Sequence, residues 1–259
     1  MNNTRRKIKF ARGEIAIFPQ THVYFAEMVL NRASDAITLG SLLPDMIISS
    51  NFNHTQAHSI GHELWQILGE DSEMADLALG AISHGIAPRG LDYFGDEKYS
   101  GFERGYCFEK GRLLVDATVE ACNIPPQMGW WKAHNIIEMG IELRVSARGS
   151  YGNTIRQAFN NEDLITQLSE LLPGLTGSSE HYLKSRLSGF TGYIEISKPT
   201  PLSLAEKYNY QMFIRHKVNI DIPKVARLIA LAAGYIENDI DDFFRVVRQQ
   251  VYNEMKSLE

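Results

Sequence analysis

The sequence predicts an all-α protein, and three observations carry that reading. Apolar residues recur at helical spacing in long runs such as 54–68 and 129–147, and these runs exceed the usual length of a strand. No stretch alternates apolar and polar residues convincingly, as a half-buried strand would. Gly, Pro, Ser and Thr gather between the periodic runs, at 85–111 and at 173–203, where they punctuate helices. The expected architecture is a multi-helix bundle around one core.

Taken in order, 21–33 reads as a helix with Thr21 as its N-cap. Residues 37–47 (ITLGSLLPDMI) contain Gly40 and Pro44 and read as a turn or a short helical start. Residues 54–68 read as one helix with an apolar stripe of Ile60, Leu64, Ile67 and Leu68. The next helix spans 71–84, capped by Asp71 or Ser72. The glycine- and aromatic-rich stretch 85–111 reads as a long irregular segment, a class that is usually functional or mobile. Helices follow at 112–122, 129–147, 151–172, 179–188, 204–216 and 222–258. The chain is read as one domain over 1–259, with a chemistry-bearing core at 19–145 and a C-terminal helical layer at 150–259.

Composition narrows the function. A chain of 259 residues with 44% hydrophobic and 22% charged residues builds one sizeable core. A net charge of −5 shows no basic excess for nucleic acid or an anionic membrane surface. Two cysteines, Cys107 and Cys122, make no disulfide framework and fit a reducing compartment. The N-terminal stretch MNNTRRKIKFARGEIAIF is basic, without an apolar run of signal-peptide length. No span of roughly 18 uninterrupted apolar residues occurs. The expectation is a cytoplasmic protein with no membrane span; oligomeric state is not readable.

The informative feature is where the histidines and acids fall. His22 shares a helical face with Ala26, Val29 and Ala33. His84 follows Leu77, Gly80 and Ala81 on a small-residue apolar face. His134 and Glu138 are one helical turn apart, among Trp130, Trp131, Ile141 and Val145. A lone histidine on such a face is more often a hydrogen-bonded core residue. Three in one chain, with acids close by, favour metal ligands, because a cation offsets the desolvation of both imidazole and carboxylate. Asp45 follows Leu42-Leu43-Pro44, and Asp92 sits between Leu91 and Tyr93, which points it inward. Asp96-Glu97 reads as solvent-facing. His54, His58 and His62 lie opposite the Ile60/Leu64/Ile67 stripe; of these His58 is the favoured inward residue, with His62 next. Arg89 lies beside the site and is read more readily as a surface arginine than as a phosphate ligand. The aromatic group Tyr93, Phe94, Tyr99, Phe102, Tyr106 and Phe108 either shapes a pocket or packs the long loop.

In order and spacing, the elements Thr21-His22, Gly40-Ser-Leu-Leu-Pro-Asp45, the 54–62 histidine helix, Leu77 to His84 and His134-x-x-x-Glu138 resemble the zinc-dependent phospholipase C family. Its fold is shared with the S1/P1-type nucleases. The likeness covers about 19–145. It implies a phospholipase C/P1 nuclease-type helical bundle holding a zinc cluster of two or three ions, another divalent transition metal being an alternative. Asp45, His58 and His84 would hold one ion. His134 and Glu138 would hold a second, with a further ligand from the loop after His84, and His22 would belong to a third. The sequence departs from the family where a bridging Asp is expected, at Pro88, and lacks a second histidine before His134; Asp92 can supply one of the two. The implied activity is hydrolysis of a phosphodiester or phosphomonoester, small-molecule or lipid-like, through a metal-activated water, with Asp45 or Asp92 orienting the water or taking its proton. The alternative is a non-catalytic or degenerate metal-binding relative with a regulatory or scaffold role. A di-iron protein is disfavoured, because the chain lacks the required Glu-x-x-His pairs.

Overall fold

A computed structural model describes residues 18–70, 74–192 and 194–258. Among them there is only helix and connecting chain, with no strand. The helices are α1 (Pro19–Leu30), α2 (Asp35–Ile47), α3 (His54–Ala57), α4 (Ile60–Leu68), α5 (Ala75–His84), α6 (Tyr106–Gly111), α7 (Val115–Cys122), α8 (Gly129–Ser146), α9 (Tyr151–Phe159), α10 (Glu162–Leu171), α11 (Pro173–Thr176), α12 (Glu180–Gly189), α13 (Pro201–His216), α14 (Ile222–Tyr235) and α15 (Ile240–Lys256). No described helix is long and apolar enough to cross a membrane.

Several boundaries differ from the sequence reading, each for a local reason. Thr21 lies inside α1, which starts at Pro19; its hydroxyl donates to Glu142 at 2.7 Å and caps no helix. Residues 37–47 belong to the full helix α2. Its Ser34 cap accepts from the Ile37 amide at 3.1 Å, and Pro44 is carried within it. The 54–68 run is two helices broken at His58 and Ser59, because the His58 carbonyl accepts from the Ile86 amide at 2.7 Å. Of the expected stripe, Ile60 and Leu64 are buried, whereas Ile67 is 56% exposed and Leu68 half-buried. The run 151–172 divides where Asn161 caps α10 by accepting from the Leu164 amide at 3.1 Å. The run 222–258 divides between α14 and α15. The segment 85–111 is less irregular than expected, containing a π-helical turn at Tyr93–Glu97 and α6. The basic N-terminal stretch and the expected caps Asp71 and Ser72 lie outside the described residues.

Two apolar cores flank a central seam. One gathers α8 with α13, α14 and α15 through residues such as Ile136, Ile137, Tyr208, Ile229 and Phe243. The other gathers α2, α4 and α5 with α9, α10 and α12 through Leu42, Leu43, Leu64, Ile155, Leu168 and Leu187. The C-terminal half is therefore divided between both cores instead of forming one layer. Helices α1 and α5 contribute to each core, Phe25 and Ile82 to one, Val23 and Ala81 to the other. His22 and His84 sit on these shared helices.

The contact that sets the seam is between α2 and α5. A side chain on Gly40 would stand 2.1 Å from the Leu77 carbonyl oxygen, and one on Gly80 would stand 2.5 Å from the Ile37 carbonyl oxygen. Glycine at both places lets the two backbones touch. We predict that Gly40→Ala lowers stability by about 2–3 kcal/mol through overpacking, whereas Gly174→Ala, at an open position, changes it by less than about 0.5 kcal/mol. Chemical denaturation of both variants checks this; equal effects would contradict the packing described.

Candidate functional site

Close packing of α2 on α5 places the His84 ring beside the turn of α2 that holds Pro44. Proline has no amide hydrogen for the carbonyl four residues back and loosens this turn. The neighbouring Ser41 carbonyl accepts from His84 Nδ1 at 2.6 Å. His58, at the break between α3 and α4, is anchored in the same manner, donating from Nδ1 to the His54 carbonyl at 3.0 Å. A carbonyl only accepts, so both rings carry a hydrogen on Nδ1 and turn Nε2 inward. Metal-binding histidines are oriented by this kind of partner.

The chain after His84 doubles back. Gly90 and Tyr93 both donate their amides to the Gly85 carbonyl, at 2.9 and 3.4 Å. Leu91 and Phe94 are buried, and Asp92 returns to stand among the imidazoles. Its Oδ2 lies 3.2 Å from His58 Nε2 and 3.2 Å from His84 Nε2, and its Oδ1 lies 3.6 Å from His22 Nε2. Asp45 Oδ1 is 3.6 Å from His58 Nε2. The His22 and His84 rings stack with centroids 3.6 Å apart.

His22 is held by its helix start. Glu142, wholly buried, accepts from the amides of Gln20 and Thr21 at 3.0 and 2.9 Å. It thus satisfies first-turn donors that the helix itself leaves unpaired. Burial, opposed by these hydrogen bonds, raises its carboxyl to about 7.

Across the cavity, α8 presents His134 and Glu138, both buried, with Nε2 and Oε1 3.8 Å apart. Phe108 stacks on His134 at 4.2 Å. Asn135 donates to Glu138 Oε2 at 3.0 Å. Asp96, four residues beyond Asp92, also turns inward, contrary to the solvent-facing expectation: ligand atoms of Asp96, Cys107 and Glu138 lie within 4.8 Å of one another. Asp96 Oδ1 is enclosed without a hydrogen-bond partner.

Of the seven sequence-predicted ligands, the structure groups His22, Asp45, His58, His84 and Asp92, and places His134 and Glu138 as a separate pair on the same cavity. His62 is exposed and takes no part, while His54 stacks on His58 at 3.8 Å. Arg89 is at the surface, paired with Glu254. Trp131 is 43% exposed and stands at the cavity's edge, not on a buried face. Of the loop aromatics, only Phe108 lines the cavity; Tyr99 and Tyr106 pack on Phe243 at 5.0 and 4.3 Å.

Sequence reasoning missed Asp96, Glu142 and three cations. Asp96 and Glu142 each extend a spacing of four, from Asp92 and from Glu138, a signal that was present. Arg104, Lys132 and Arg215 line the cavity of about 510 Å³ and carry no such signal.

Electrostatics divide the site. Burial works against charge on His58, yet hydrogen bonds to Asp45 and Asp92 push its imidazolium up to about 10. Asp45, buried, and Asp92, largely enclosed, are held below the usual carboxylate range by the surrounding histidines. Burial lowers His22 and His134 to about 3, with help from His84 and Lys132 respectively. Burial raises Asp96 and Glu138 well above the usual range, each also repelled by neighbouring acids.

This donor set fits divalent cations. Without one, a proton on His58 must separate two carboxylates, and Asp96 and Glu138 stay uncompensated. One position would be held by Asp45, His58, His84 and Asp92, with His22 alongside, and another by Asp96 and Glu138, with Cys107 in reach of both and His134 beside Glu138. Comparison with protein-family models, curated proteins and solved structures gave no match.

Protonation of His134 and of His58 acts on stability in opposite directions. The unfolded chain protonates His134 near 6.5, and the folded chain only near 3. Stability from this residue is therefore present above 6.5 and lost as pH falls from 6.5 toward 3. His58 acts oppositely: its contribution is present below 6.5 and lost as pH rises through about 10. In chelator-treated protein, His134→Phe should lose less stability than wild type between pH 7 and 4.5, as read by urea midpoints. An identical loss would contradict the neutral, buried His134.

Proposed function

We propose that this chain is a metal-dependent phosphoesterase, with zinc as the expected ion, acting on a phosphodiester or phosphomonoester. One observation carries the reading: His58 and His84 commit Nδ1 to backbone carbonyls and aim Nε2 at the carboxylate of Asp92, 3.2 Å from each. Ring nitrogens and anionic oxygens so arranged need positive charge between them; in the metal-free chain the proton on His58 supplies it for one ring only, and a divalent cation would serve both. The departure at Pro88 bears less on activity than its sequence suggests, because Asp92 occupies the space among the imidazoles that a bridging carboxylate would need.

Bound divalent cations would supply positive charge for phosphoryl oxygens and lower the pKa of a water toward about 7. The chain's own groups do the rest. Asp45 and Asp92, kept ionised by the histidines, orient a water or accept its proton. Arg104, with its guanidinium carbon 4.2 Å over the Phe108 ring, presents charge to phosphoryl oxygens. Phe108, Trp130 and Tyr208 line the same cavity, exclude water and leave room for the alcohol portion.

Purified protein should contain zinc or another divalent transition metal and hydrolyse bis-p-nitrophenyl phosphate, with chelator abolishing and added metal restoring turnover. His84→Ala and Asp92→Asn should each lower kcat/KM by more than about 100-fold, beyond what loss of an outer partner costs. Bound metal without turnover on any phosphomonoester or phosphodiester would overturn the hydrolytic reading and leave a metal-binding scaffold.

A further inference from the structure

The cavity extends past the histidines and acids to a second chemical region, which the reaction proposed above does not use. Lys132, two residues before His134, leaves α8 about 200° around the helix from it. Its side chain is 2% exposed, yet it lines the cavity. No carboxylate of the described residues pairs with it; its ammonium rests 3.8 Å from the centroid of the Trp131 ring. An aromatic face compensates a buried ammonium only in part.

Helix α13 completes this region. Tyr208, Gln211, Met212 and Arg215 line the cavity at spacings of three, four and seven, so one face of α13 is turned to it. Gln211 is buried and Arg215 half-buried. Lys132, Gln211 and Arg215 therefore add two cations and an amide to the cavity wall from α8 and α13, beside the wall formed by the carboxylates and histidines. A cavity of about 510 Å³ is large enough for a ligand that touches both regions.

We propose that the ester bound here carries a second anionic group, a phosphate or a carboxylate, on its alcohol portion, and that Lys132 receives it with Gln211 and Arg215. The proposal rests on the phosphoesterase reading for the placement of the first phosphoryl group. Lys132 acts in recognition and does not touch the reacting bond. A ligand anion supplies the partner that the fold withholds from this ammonium, and a charge-assisted hydrogen bond in a dry site is strong.

Calorimetric titration of the zinc-loaded protein tests this with three probes: propyl phosphate, propane-1,3-diyl bisphosphate and 3-phosphonooxypropanoate. The wild type should bind one of the two probes that carry a second anionic group about tenfold or more tighter than propyl phosphate; which of them it is identifies the second group. Lys132→Met should bring that ratio to within about twofold while the propyl phosphate affinity stays within about twofold of wild type, and Lys132→Arg should restore part of the preference. Equal binding of all three probes by the wild type overturns the proposal without recourse to any variant. So does a Lys132→Met loss that is the same for propyl phosphate, which would place Lys132 on the reacting phosphoryl group. The two readings fail separately. Absence of turnover of bis-p-nitrophenyl phosphate, which has no second anion, counts against the phosphoesterase alone, and the binding ratios are measured without turnover.

Discussion

Charge held out of water must be compensated, and in this protein that constraint organises the centre of the molecule. Imidazoles and carboxylates from α1, α2, the α3–α4 break, α5 and the following loop meet in a seam between two apolar cores. Each alone would carry the desolvation cost of a buried polar group. Together they divide into a proton-holding half around His58, where carboxylates outnumber compensating charge, and a half at Asp96 and Glu138 where burial forces acids toward neutrality. A cation in each half would resolve both imbalances.

The scaffold explains why the groups stay in place. Gly40 and Gly80 bring α2 and α5 into backbone contact, and that contact sets the distance from Ser41 to His84. The Ile86 amide takes the His58 carbonyl, so one hydrogen bond both breaks the helix and links the His58 turn to the loop that carries Asp92. Glu142 fixes the start of α1 one residue before His22. His22, the His58 turn and His84 are therefore each tied to a different element, which gives this part of the seam a fixed geometry.

Much of this was legible in the sequence, and the limits are physical. An all-helical chain followed from periodicity, and His22, His84, His134 and Glu138 stood out because they interrupt apolar faces. Asp96 was hidden by its setting, Phe-Gly-Asp-Glu, which looks like a solvated turn until the π-helical turn rotates it inward. The break at His58 depends on a bond to Ile86, twenty-eight residues away by number, which no local pattern encodes. Gly40 and Pro44 read as breaks because local propensity favours that outcome, whereas tertiary packing uses the glycine for contact within a continuous helix. Lys132 and Arg215 were invisible for another reason: a cation on an amphipathic helix has the same pattern whether it meets solvent or a cavity.

Anomalous diffraction from crystals grown with zinc, recorded on both sides of the zinc absorption edge, tests the central claim most directly. The account predicts one peak among Asp45, His58, His84 and Asp92 and another beside Asp96, His134 and Glu138. Zinc peaks confined to surface residues, with the seam empty at saturating zinc, would contradict it.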